Sequence, residues 1–143
     1  MIFPLLSTTT DSADSTLPMY REIDWDFNAD RPIWRGGAPV YVSGHRAVLV
    51  WCWNALHARR GLCDLFTQDY GTDLSALIGR HYTAAVRESE AIRAVREALM
   101  INPYVKAVEQ ISVQFAGSTL TVRVSVSTIY QEEATPIERS ISL

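Results

Sequence analysis

An α+β fold is the expectation for this chain: a small single domain with an N-terminal strand or hairpin, two main helices plus a short helix, and a long C-terminal β-hairpin that neighbouring chains can augment. Three patterns carry it. Ile23, Trp25 and Phe27 alternate with Glu22, Asp24 and Asp26, the period of two that marks a half-buried strand. Residues 83–101 are rich in helix formers, with Ala85, Ile92, Val95 and Leu99 on one face. Residues 111–126 then alternate again on both sides of Gly117-Ser118, the signature of two strands joined by a turn. At 143 residues the chain has the size of one domain that buries a core without disulfides or a metal.

Taken in order, residues 1–21 form an extended N-terminal arm, because the run Ser7 to Thr16 is small, polar and aperiodic and cannot offset its own ordering entropy. Residues 22–130 form the domain proper. After the first strand, Asn28 to Pro32 mark a turn, and short extended pieces follow at Ile33-Trp34 and Pro39 to Val42. Ser43 is the expected N-cap of a helix running to about Arg59. Val48, Trp51, Cys52 and Ala55 make one stripe of it and Leu49, Cys52, Trp53 and Leu56 the next, so the helix is expected to be buried on more than one side. Gly71 pivots a turn, Thr72 can cap a short helix, and Gly79 can end it. The long helix should stop at Asn102, since Pro103 disfavours helical geometry in the residue before it. Arg93 and Glu97 stand four apart on its outer side. Residues 131–143 form a C-terminal arm: a polar break, Gln131 to Pro136, and then Ile137, Ile141 and Leu143 in strand pattern outside the globular domain. An arm of this kind can add itself to a neighbour's sheet edge.

Charge and composition narrow the function. A net charge of −3 with 13 Lys and Arg provides no broad basic field, so nucleic acid is not expected as a partner. No stretch approaches the ~20 apolar residues of a spanning helix, and Met1 to Leu6 lack the charged start and the length of a signal peptide. A soluble protein made in a cytoplasm is expected, with Cys52 and Cys63 reduced and structural. Reactive constellations are absent. Asp24 and Asp26 share one strand face, Glu88 and Glu90 point in different directions along a helix, and Glu132 and Glu133 sit in the polar break. No glutamate stands in an apolar setting that would raise its pKa towards a general acid's. Cys52, His57, Cys63 and His81 lack zinc spacing, Gly36-Gly37 lacks a P-loop lysine, and no nucleophile elbow occurs. No cofactor and no metal are expected. Arg59 and Arg60, with Arg46 on the preceding helix, are expected as a charged helix end complementing the dipole, with an acidic surface on a partner as the sharper alternative.

Two segments carry a resemblance. Tyr70-Gly71-Thr72-Asp73-Leu74 with Leu77-Ile78-Gly79, and Ala98 to Val105 leading into a hairpin that ends Ser127-Thr128-Ile129-Tyr130, resemble the baseplate wedge and sheath-initiator proteins of contractile-tailed bacteriophages, a family sometimes labelled lysozyme-like. Many members carry Glu-Pro-Arg before the hairpin. Here Asn102-Pro103-Tyr104 keeps the proline and changes its neighbours, a form similar to a distinct branch of the family.

The resemblance implies a structural, non-enzymatic component of the virion tail baseplate, assembled in the host cytoplasm. It implies baseplate wedge, tail sheath and tail tube or tube-initiator proteins as partners. A sixfold tail further implies a closed ring of about six copies. Tyr70, Gly71, Asp73, Asn102, Pro103 and Tyr104 are the interface residues it suggests, joined by Ile137, Ile141 and Leu143 of the terminal arm. The function implied is linkage of wedge to tube and sheath, with the first sheath ring templated by β-strand exchange. Two other classes stand beside it: a tail-associated peptidoglycan hydrolase, which the carboxylate pattern does not support, and a small cytoplasmic adaptor, which predicts a monomer without ring-forming partners.

Overall fold

The computed structural model, described for residues 17–58, 71–72, 74, 77 and 83–142, opens with three short antiparallel ribbons that fold back beside the first helix. β1 (Arg21–Ile23) pairs with β6 (Tyr41–Ser43), β2 (Trp25–Asp26) with β3 (Arg31–Pro32), and β4 (Trp34–Arg35) with β5 (Ala38–Pro39). The single strand expected from the alternation of Ile23, Trp25 and Phe27 is therefore interrupted at Asp24. Its amide donates to the Val40 carbonyl at 2.7 Å, and its carboxylate accepts from the Trp25 amide at 2.9 Å. Asp26 shapes the next corner by accepting from the amides of Asn28 and Ala29 at 2.9 and 3.1 Å, the side-chain mimic of a backbone turn. Gly36 and Gly37, at φ 62° and 81°, supply the two left-handed residues that a type I′ hairpin needs.

α1 spans His45–His57. Its cap is Gly44 at φ 73°, with no side-chain hydrogen bond, in place of the expected Ser43. Ser43 is already committed to β6, paired with Arg21, and glycine takes the left-handed step between strand and helix at no steric cost. Eight residues of α1, including Val48, Cys52, Trp53 and Leu56, are buried, so the wide apolar surface is covered by the chain itself. Burial pushes the Cys52 thiol up to about 12, which leaves it an inert small hydrophobe.

Gly71 has φ 97°, the turn that its sequence setting predicts. Thr72 follows with its amide donating to the Ala58 carbonyl at 2.7 Å, and its hydroxyl accepts from the Leu74 amide at 3.4 Å, as a helix cap does. Leu74 is fully buried, and Leu74 and Leu77 are helical. Tyr70, Asp73, Ile78, Gly79 and the residue pair 59–60 lie outside the described residues, as do Cys63, His81, residues 1–16 and Leu143.

α2 (Ala84–Met100) is capped by Thr83, whose side chain accepts from the Val86 amide at 3.3 Å. Ala91, Val95, Ala98 and Leu99 form its buried stripe, while Ala85 is exposed. Arg93 bridges Glu97 at 2.9 Å as expected, and Glu90 at 2.6 Å.

β7 (Val105–Ala116), β8 (Thr119–Thr128) and β9 (Gln131–Ser142) make an antiparallel sheet in the order β7-β8-β9. Gly117, at φ 62°, turns the predicted hairpin. α1 and α2 cover one face of this sheet, and the core lies between, built on Val48, Leu56, Val95, Leu99, Val122 and Val124. β9 is the departure from expectation. The segment read as an arm outside the globular domain runs along β8 from Thr119↔Ser142 to Thr128↔Gln131, with Ile137 and Ile141 in the core. Without it β8 would present an unpaired row of backbone groups, and its own chain satisfies that row at no cost in association entropy.

Candidate interface

The terminal strand is held by more than backbone pairing. Along β9, Ile137, Arg139 and Ile141 point into the molecule and are buried, while Pro136, Glu138 and Ser140 face outward. Arg139 is only 5% exposed. Its two terminal nitrogens donate to Asp30 Oδ1 and Oδ2 at 3.0 and 2.9 Å, a bidentate pair. Asp30 Oδ1 also accepts from the indole nitrogens of Trp25 and Trp53, each at 3.0 Å.

Asp30 itself sits at φ 54°, a conformation uncommon outside glycine, asparagine and aspartate. The guanidinium of Arg139 lies 4.4 Å from the Trp53 ring, Trp53 stacks on Phe27 at 4.6 Å, and Arg46 covers Phe27 at 4.4 Å. Two arginines thus bracket two stacked aromatic rings. Desolvation opposes ionisation of Asp30, yet the Arg139 and indole hydrogen bonds outweigh it and bring its pKa from 3.8 to about 2. Asp30 is missing from the residues that the sequence singles out, because nothing local in Asn28-Ala29-Asp30-Arg31 separates a turn aspartate from one that meets an arginine far along the chain.

A second tie sits at the other end of β9. His45, the first residue of α1, reaches Thr128 Oγ1 at 2.9 Å through Nδ1 and Thr135 Oγ1 at 2.8 Å through Nε2. It thereby joins α1, β8 and β9. Burial holds its pKa below the ordinary 6.5.

The residues suggested as interface fall into two structural settings. Asn102 and Tyr104 are buried and Pro103 is exposed. Asn102 Oδ1 accepts from the Tyr104 amide at 2.8 Å, closing the turn between α2 and β7. The Tyr104 hydroxyl donates to the Pro18 carbonyl at 2.6 Å, and its ring packs on Tyr20 at 4.7 Å and stacks with Tyr130 at 6.1 Å. What this corner offers outward is Pro103 with Ile101, which is 46% exposed. Ile137 and Ile141 face the core, so among the described residues β9 is an edge strand of the sheet, with Glu138 and Ser140 on its outer face. Gly71 is buried.

Other carboxylates have structural work. Asp24 pairs with Arg46 at 3.0 Å, Glu90 with Arg93, and Glu132 with Lys106 at 3.0 Å. Arg46 is therefore tied to the first ribbon, and also to the Trp25 carbonyl at 2.8 Å. Among the described residues no cluster of His, Cys, Asp and Glu is arranged to hold a metal ion, and no helix is long and apolar enough to cross a membrane.

The chain also matches a known family. A family model described as contractile injection system sheath initiator matches residues 21–131. That span runs from the first residue of β1 to the first residue of β9. A search of curated proteins returns no match to the chain.

Proposed function

The chain belongs to the contractile injection system sheath initiator family, and from that membership we propose that it starts the sheath by offering the edge of its three-stranded sheet to a strand of the first sheath subunit. The supporting observation is the sheet order β7-β8-β9, which leaves an outer strand on each side. β7 is interrupted by register shifts between Val105 and Ala107 and between Glu109 and Ser112, with Gln110 at φ 51°. Bulges of this kind twist an edge away from regular pairing. Beyond Pro136, β9 pairs with β8 without interruption to Ser142, and it is the better platform. Backbone bonds along residues 137–142 supply affinity there, and the exposed side chains of Glu138 and Ser140 supply selectivity.

Strand addition to β9 replaces donation of the terminal segment to a neighbour, because residues 131–142 are paired within their own chain and Ile137, Arg139 and Ile141 are buried in it. The corner of Ile101 and Pro103 faces the wedge in this reading, with Tyr70 and Asp73 as further contacts. Tube and wedge proteins set the ring of about six copies. The chain acts as a structural component of the baseplate, without catalysis. In producing cells from which this chain is removed, tubes should accumulate without sheath, and resupplying the chain should restore sheathed tails. Sheathed tails of normal length in its absence would refute the proposal.

A further inference from the structure

The turn between β8 and β9 and the body of the two strands are in different registers. At the turn, Thr128 pairs with Gln131, but from Val126 onward the partners are Thr135, Ile137 opposite Val124, and Ile141 opposite Leu120. β9 therefore carries two more residues than β8 between these points. Had the pairing set by the turn simply continued, Ile137 would lie opposite Val122 and Arg139 opposite Leu120. A shift of two residues keeps every side chain on its own face. The alternation of Ile137, Arg139 and Ile141 with Pro136, Glu138 and Ser140 is equally satisfied in both frames. Face alternation alone does not choose between them, although only the observed frame sets Ile141 opposite Leu120; continued from the turn, it would fall opposite Ser118 beyond the end of β8.

Beside those apolar pairings, the polar contacts of β9 also differ between the two frames. Moving β9 by two residues carries the Arg139 guanidinium about 7 Å along the strand, beyond the reach of both Asp30 oxygens and off the Trp53 ring. On the outer face, Arg123 and Glu138 are also paired in the observed frame, but both side chains are half or more exposed and such pairs contribute little. The Asp30–Arg139 pair differs in kind. The Asp30 side chain is 47% exposed, but the arginine is buried, the contact is bidentate, and Arg139 Nε has no hydrogen-bond partner among the described residues. An apolar residue would fill the same space without that cost. Buried ionic groups kept where apolar ones would serve are best attested as devices that select one register.

We propose that Asp30 and Arg139, with Trp25 and Trp53 orienting the carboxylate, fix the register of the terminal strand. The pair selects the frame displaced by two residues over the frame that the turn would propagate. Which residues β9 presents along its outer edge follows from that choice. This consequence bears on sheath initiation only through the function proposed above, whereas the register itself belongs to the isolated chain.

Disulfide trapping reads the register directly. The Thr121 and Ser140 hydroxyl oxygens stand 3.1 Å apart on the outer face, so the T121C/S140C variant reports the observed frame. T119C/S140C reports the frame continuing from the turn. Purified full-length protein carrying each cysteine pair is oxidised, and the linked peptides are quantified by mass spectrometry. With Asp30 and Arg139 intact, the 121–140 link should dominate. Adding Arg139→Leu, or in a separate variant Asp30→Asn, should raise the ratio of the 119–140 link to the 121–140 link at least tenfold. An unchanged ratio in both variants overturns the proposal. Failure of both to fold also overturns it, since the pair would then serve stability and not register.

Discussion

Asp30 shows what a single residue does here that its neighbours in sequence do not announce. Its carboxylate gathers an arginine and two indoles from three separate elements, so its importance exists only after the chain has folded. A turn from Asn28 is legible in the sequence, although it begins at Asp26 and gives way to β3 at Arg31; the partner of Asp30 is not legible, because sequence separation hides a pair that lies 109 residues apart. The cap of α1 differs from expectation for a related reason. Ser43 has the better capping side chain, but strand pairing claims it first. Asp30 also carries a pH signature. Its folded pKa lies below the unfolded value, so the stabilisation is complete above about 3.8 and disappears as the pH falls towards about 2. Urea unfolding of the natural chain and of Asp30→Asn should differ most near neutral pH. The difference should shrink between about pH 4 and pH 2.

At the scale of elements, periodicity is a sound guide wherever a segment is long. α2 and the β7–β8 hairpin lie where helix-forming composition and strict alternation put them, and the proline after α2 follows its end as expected. The cap and the core of these elements are testable separately. Thr83→Ala removes the bond to the Val86 amide and should cost about 1 kcal/mol. Val124→Ala opens a cavity beneath the fully buried centre of β8 and should cost about 2 kcal/mol. Denaturant titration of each variant checks both, and the larger loss should belong to Val124. β9 has the strand pattern that the sequence predicts, but it joins its own chain's sheet and not a neighbour's. Its pattern of Ile137 and Ile141 fits any apolar face, and the polar break before it suggests separation where the structure has the start of the strand itself. Strand pattern alone identifies a face to be buried and leaves the partner open.

The molecule as a whole is a two-layer body in which the first ribbons, α1 and β8 all lean on β9, while α2 packs on β7. The first ribbons reach it through Asp30, α1 through His45 and Trp53, and β8 along its length. That arrangement holds β9 in place along the side of the sheet where the proposed strand addition would occur. The α+β class, the order of elements and the family likeness are all legible in the amino-acid sequence. The closure of the sheet by β9 is not, because the polar run Gln131 to Pro136 reads as a break where the chain in fact turns back along β8. The central claim is that sheath subunits meet this protein along β9. Photo-crosslinking in assembling particles tests it most directly, with a photoreactive amino acid placed at Ser140 on the outer side of β9 or at Arg96 on the exposed side of α2. The account predicts sheath polypeptide linked from position 140 and not from position 96. Particles in which position 140 yields no sheath adduct, while position 96 does, would contradict it.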